Sequence, residues 1–194
     1  MRRDDIGVVI LAAGASTRLG KLKQTVEFSG ETLLDRSVRV AREACGGTIV
    51  VVLGAFAEQV RHGCKLQGCS VIQNPEWEDG LMSSIRYGIS SLGRVAGAIV
   101  MTCDMPFVTS EHLEKLADRE NLTASYYASA PGVPAYFPSS YFQSLTRLQG
   151  SGGAKALLGS ADTIPLNKGE LDIDTPEDLQ TLKSLRTDRQ LGSH

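Results

Sequence analysis

The chain lacks any run of about 18 consecutive apolar residues, the length a membrane span requires, and its Met-Arg-Arg start leads into Asp4 and Asp5 instead of an apolar signal core. Both absences make a soluble cytoplasmic protein the expectation. It also lacks a basic surplus: 20 Lys and Arg stand against 22 Asp and Glu, a formal charge of -2. Bulk nucleic-acid binding, which needs a basic face or stripe, is therefore not expected. Any anionic ligand has to be met by a local basic cluster. The four cysteines (Cys45, Cys64, Cys69, Cys103) include no Cys-x-x-Cys pair, so reduced thiols are expected. His62, Cys64 and Cys69 lie close in sequence, but a fourth zinc ligand is missing. Internal repeats and low-complexity segments are absent as well.

What is present fits one compact α/β domain. A length of 194 residues with 42% hydrophobic content supports a single continuous core, expected over residues 1–185, with polar residues 186–194 as a flexible tail. Short β-branched runs alternate with longer amphipathic stretches. Residues 7–11 (GVVIL) read as a buried strand, 31–44 as a helix with Leu33, Leu34, Val38, Ala41 and Ala44 on one face, and 48–53 as a second strand. A helix over 83–92, a strand over 98–102 and a Ser-capped helix over 110–116 continue the alternation. After Asn121 the sequence becomes rich in Pro and Gly (Pro131, Gly132, Pro134, Pro138) and reads as an insertion beside the sheet, with short helices around 141–148 and 153–158. Thr175-Pro176-Glu177-Asp178 supplies a cap, a first-turn proline and two acids for a last helix to Leu185. A mostly parallel sheet with helices on both faces follows, and such sheets bind ligands at the carboxyl ends of their strands.

Four segments carry candidate chemistry. The first, LAAGASTRLGKLK over residues 11–23, is a small-residue loop with Arg18, Lys21 and Lys23 within six positions. Leu11, Ala12, Ala13 and Gly14 let backbone N–H groups approach phosphate oxygens, Arg18 can fork onto two of them, and the lysines add compact charge. One residue too many separates Gly14 from Gly20-Lys21 for a P-loop, and no Ser or Thr follows that lysine. The dinucleotide pattern Gly-x-Gly-x-x-Gly is absent too. An ordinary solvated turn is the competing reading. The second segment places Asp104 just past a buried strand, where a hard oxygen ligand for Mg²⁺ belongs; a turn or cap aspartate is the alternative. In the third, Asp172 and Asp174 share a face if the segment is an extended strand, so either can meet Asp104 across one metal. The fourth, residues 74–84, gathers Asn74, Trp77, Gly80, Ser83 and Ser84 at a helix start, groups able to read a base edge and ribose. Ser83 as a plain cap and Trp77 packed on the sheet are the alternatives.

Six motifs in order, LAAGASTRLGKLKQ, NPEWEDGLMSSIRYGI, CDMPFVTSEHLEKL, GVPAYF, GGAKALL and DIDTPEDL, resemble the molybdenum cofactor cytidylyltransferase-like (MobA-like NTP transferase) members of the nucleotidyltransferase superfamily. The resemblance spans residues 8–182. It implies a Rossmann-like three-layer sandwich of the nucleotide-diphospho-sugar transferase type, with the first loop on the triphosphate and Lys23 near the α-phosphate. It also implies Mg²⁺ on Asp104 with Asp172 or Asp174, and residues 74–84 near base and ribose. Arg18, Lys23 and Asp104 would then carry catalysis. The double alanine Ala12-Ala13 resembles the cytidylyl version and favours CTP, where guanylyl relatives usually show a double glycine. The acceptor would be a molybdopterin-type phosphate, with a molybdoenzyme as candidate client. Gly132-Val133-Pro134 and Gly150-Ser151-Gly152-Gly153-Ala154 depart from the family's usual Gly-His-Pro and Gly-Asp-x-Gly-Ala. Both lie on the acceptor side, so a sugar phosphate or methylerythritol phosphate stays open as acceptor, as does a non-catalytic nucleotide- or cofactor-binding role.

Overall fold

A computed structural model describes residues 3–147 and 157–191. Strand β1 (Ile6–Ala12) leads through a small hairpin, β2 (Glu27–Phe28) and β3 (Glu31–Thr32), into helix α1 (Leu33–Ala44) and strand β4 (Ile49–Leu53). Then come α2 (Ala57–Gly63), β5 (Ser70–Gln73), α3 (Leu81–Ser90), β6 (Gly97–Thr102) and α4 (Ser110–Ala117). Strands β7 (Thr123–Tyr127) and β8 (Ala130–Pro138), helix α5 (Phe142–Arg147), β9 (Asp162–Pro165) and α6 (Pro176–Leu191) complete the chain. Among the described residues, seven strands form one sheet in the order β5-β4-β1-β6-β8-β7-β9. Pairing is parallel throughout except at β6–β8 and β7–β8. No helix among the described residues is long and apolar enough to cross a membrane.

The expected layering is present, and β1 shows why. Successive strand side chains face opposite ways, and every residue of β1 is buried, so both faces must be covered. Val8 and Ile10 pack with Leu34 and Val38 of α1 and Leu113 and Leu116 of α4. Val9 and Leu11 pack with Met82, Ile85 and Ile89 of α3 and Leu145 of α5. Each such side chain contributes about 1.5–3 kcal/mol through burial, which makes β1 the anchor for the loop that leaves it.

Several expectations need correction. Helix α1 begins at Leu33 because Thr32 caps it, its side chain accepting from Asp35 N, while Glu31 pairs with Phe28 in the hairpin. The cap of α4 is Thr109, which accepts from His112 N, not Ser110. Residues 123–138 are not an insertion beside the sheet but two antiparallel strands within it. The prolines hid them: Val133 and Pro134 fall in a register shift between Ala124 and Ser125, where no ladder N–H is needed, and Pro131 lies past the stretch of β8 that pairs with β6. No strand forms over 171–174. That segment crosses the sheet end instead, with Ile173 N donating to Asp104 O at 3.0 Å and its side chain packed against Leu19, Val26 and Leu33. Helix α6 starts as expected, with Thr175 and Asp178 capping each other, and runs to Leu191. The expected helix over 153–158 and the GGAKALL motif lie largely outside the described residues.

Two stability measurements check this packing. Ala is favoured over Gly inside a helix by about 1 kcal/mol, but a Cβ on Gly88 of α3 would run into Val9 Cγ1 and lie 3.1 Å from Val52 Cγ2. Overpacking against these stiff, buried valines costs about 1–3 kcal/mol. Gly88→Ala should therefore lower the urea midpoint without changing the slope; a raised midpoint would mean that α3 is not seated on β1. The second concerns His112, whose Nε2 lies 2.7 Å from Ser125 Oγ, while the Ser125 hydroxyl donates to Pro134 O. Burial, helped by Lys115, pushes its pKa from 6.5 down to about 4. The unfolded chain thus takes up a proton near pH 6.5 that the folded chain refuses until about pH 4, so stability is full above that window and falls on acidification through it. At pH 5 the loss from this group is about 2 kcal/mol. Urea titrations at pH 7 and pH 5 should show that difference shrinking in His112→Gln.

Candidate active site

The chain passes from β1 to β4 and β5 on one side, then returns to β6 on the other side of β1. Such a reversal opens a crevice at the strands' carboxyl ends. The loop of residues 13–22 leaves β1 there and returns through a short 3₁₀ turn, Lys23–Thr25. It bends through left-handed backbone at Ser16 and Gly20. It is also stitched from within. Lys23 N donates to Ser16 Oγ at 3.1 Å, and Gln24 Nε2 donates to the carbonyls of Ala12 at 2.8 Å and Gly14 at 3.0 Å.

This turn delivers Lys23 to two carboxylates. Its Nζ donates to Asp104 Oδ2 at 2.5 Å and to Asp174 Oδ1 at 3.1 Å. The other oxygen of Asp174 accepts from Arg18 at 2.6 Å. Asp104 is 6% exposed and follows β6 directly, whereas the Arg18 side chain is 70% exposed. Burial alone would depress the Lys23 pKa, but the Asp104 charge and hydrogen bond, with Asp174 behind them, outweigh it and hold the ammonium charged. Asp172 makes no bond to Lys23. Partial loss of solvent, and then the Asp104 charge, push its pKa up. Of the two C-terminal acids, Asp174 is thus the one brought to the lysine.

A cavity of about 280 Å³ is lined by the strand end (Leu11, Ala12, Ala13, Gly14) and by Lys23 and Asp104, with Gly80, Leu81 and Ser84 opposite. Lys21 stands apart, lining a neighbouring cavity of about 660 Å³ with Phe56 and Gln59. Trp77 borders both cavities. Asn74 and Ser83 are buried and face neither. Asn74 Nδ2 donates to Ser83 Oγ at 2.8 Å and Ser84 Oγ at 3.0 Å, its Oδ1 accepts from Glu76 N, and Ser83 Oγ donates to Glu76 O and Gly80 O. These two residues spend their hydrogen bonds within the segment and line neither cavity. Ser83 is not the cap of α3 either; Gly80 occupies that position.

The site's chemistry suits a polyphosphate and a hard cation. Two carboxylates converge on one point, and no set of three or more His, Cys, Asp or Glu able to hold a metal exists among the described residues. A cation here must draw its remaining ligands from water and substrate phosphate, which is the usual habit of Mg²⁺. The zinc candidates disperse: His62 contacts Glu58 O, Cys64 contacts Thr32 and Gln24 O, and Cys69 contacts Arg42. Sequence reading passed over Gln24 and Phe56. Gln24 is fully buried although polar, a fact invisible in sequence; Phe56 is 52% exposed at positive φ.

Comparison with known proteins accords with this geometry. The family model of the MobA-like NTP transferase domain matches residues 8–164. The molybdenum cofactor cytidylyltransferase of Escherichia coli (strain K12) is 27% identical over 189 residues, covering 94% of this chain and 98% of that protein. The molybdenum cofactor guanylyltransferase of Rhodobacter capsulatus is 32% identical over 190 residues, covering 90% and 93%. The crystal structure of Rv0371c from Mycobacterium tuberculosis H37Rv, in complex with manganese, aligns with a TM-score of 0.79 at 28% identity, covering 92% and 97%. With a matched span that takes in the loop, Lys23 and Asp104, the chain belongs to the MobA-like NTP transferase family and is a nucleotidyltransferase.

Proposed function

We propose that the protein transfers CMP from CTP to a molybdopterin-type phosphorylated acceptor, with Mg²⁺ as the cation. The observation that carries this reading is the Lys23 ammonium set between Asp104 and Asp174 beside the small-residue loop. CTP is favoured over GTP by Ala12-Ala13. The acceptor is suggested by the two molybdenum cofactor transferases among the relatives, and a divalent cation by the manganese complex.

In this reaction a terminal phosphate oxygen of the acceptor bonds to the α-phosphorus of CTP. The bond from that phosphorus to the bridging oxygen breaks, and pyrophosphate leaves with the electron pair. The nucleophile is already ionised near neutral pH, so positioning and charge neutralisation carry the rate. His112, the buried histidine, is held neutral away from the cavity and takes no part. Asp104 with Asp174 would hold Mg²⁺, which when bound neutralises and polarises the α-phosphate. Lys23 stands beside that position and offsets charge growing on the phosphates, while Arg18 and Lys21, both exposed, meet the outer ones. Gly80, Leu81 and Ser84 form the opposite wall, where ribose and base would lie.

Pyrophosphate release, measured for each of the four nucleoside triphosphates with Mg²⁺, with and without molybdopterin, tests the proposal. Release with CTP that requires molybdopterin is the expected outcome. Release with GTP instead would overturn the nucleotide choice, and release with a sugar phosphate or methylerythritol phosphate as acceptor would overturn the acceptor. Binding of a triphosphate with no release on any acceptor would leave a cofactor-delivery role. In the same assay Lys23→Ala should lower kcat by roughly 10²-fold or more, because it removes a charge placed where negative charge develops. A rise in KM with kcat unchanged would make Lys23 a uniform-binding residue.

A further inference from the structure

Building on the reading of residues 11–24 as the triphosphate-holding loop, we infer that Gln24 is the positioning residue that aims the loop's backbone donors. Gln24 sits on the Lys23–Thr25 turn and is 0% exposed. Burying an amide side chain costs free energy unless its donors and acceptor are satisfied. Here the Nε2 group is directed at two loop carbonyls, Ala12 at 2.8 Å and Gly14 at 3.0 Å, while Oε1 has no hydrogen-bond partner among the described residues. An apolar side chain of similar size would avoid that orphaned oxygen. The amide therefore makes sense through its two donor bonds.

Those bonds bracket Ala13. In a planar trans peptide the N–H points opposite to the C=O of the preceding residue. Drawing the carbonyls of Ala12 and Gly14 toward Gln24 turns the N–H groups of Ala13 and Ala15 to the other side. The carbonyl of Ala13 goes instead to Ala55 N at 3.0 Å, which fixes the turn from its β4 side. Ala13 and Gly14 line the cavity that also holds Lys23 and Asp104, and Ala15 lines the neighbouring cavity with Lys21. Backbone donors gathered in this manner make an anion-binding concavity. One short turn thus carries both the ammonium and the clamp that orients the amides, and the loop needs no P-loop spacing to do so.

The test is equilibrium binding by titration calorimetry with Mg²⁺, using CTP against CMP and GTP against GMP, on the full chain and on Gln24→Met and Gln24→Glu. Gln24→Met keeps side-chain bulk but removes the donors; Gln24→Glu keeps the shape and sets a carboxylate oxygen against two carbonyl oxygens. Wild type should bind the triphosphate more tightly than the monophosphate. Gln24→Met should lose on the order of 10-fold on the triphosphate through the lost and misdirected hydrogen bonds, Gln24→Glu more, with monophosphate affinity and far-UV circular dichroism held. A merely structural role would move both ligands together or neither. If either folded variant keeps the wild-type preference for triphosphate, the positioning role is overturned while the loop reading stands. If wild type itself shows no such preference, the loop reading falls and this inference with it.

Discussion

One ammonium group holds the working end of this sheet together. Lys23 Nζ reaches Asp104, 81 residues away, and Asp174, 151 residues away, so three distant parts of the chain meet at a single charge. Two carboxylates this close would repel without the cation, and a lysine this enclosed would tend to lose its proton without the carboxylates. The carboxylates keep the lysine charged. On the proposed reading, a metal-bound triphosphate would bring both signs of charge to the same place, a cation for the carboxylates and anions for the lysine and Arg18. On that reading the site is organised before the ligand arrives, which would leave little reorganisation for the chemical step.

That arrangement depends on how rigidly β1 and β6 are held. Both strands are buried nearly throughout, with helices packed on either face, so the loop after Ala12 and the aspartate after Thr102 project from a stiff base. The 74–84 segment gains its order differently. Its polar side chains bond to one another and to its own backbone, leaving Trp77, Glu78, Gly80, Leu81 and Ser84 as the surface presented to the cavity.

Much of this was legible in the sequence, for identifiable reasons. Buried parallel strands announce themselves as unbroken β-branched runs, and Asp104 stands out because a carboxylate directly follows one. The prolines of β8 concealed a strand, since the bulge that accommodates Val133 and Pro134 depends on pairing with β7, a relation between segments. The Asp172–Asp174 alternation misled in the same manner: periodicity assumed an extended strand, whereas burial of Ile173 and its bond to Asp104 O carry the segment across the sheet end. Asn74 and Ser83 have the right chemistry for ligand contact, and burial alone reveals that they spend it internally.

The long span between Lys23 and Asp174 also bears on how the protein is made. A chain leaving the ribosome presents residues 11–24 before Asp104 and Asp174, and β1, β4 and β6 can pair once residue 102 has emerged. The loop of residues 11–24 can then pair its lysine with Asp104 alone. Asp174 can join only after a further 70 residues beyond Asp104 have been made. Nascent chains that stall short of that point carry the loop with half of its carboxylate pair, and so the segment around Asp174, not the strands, decides when the three charges are assembled.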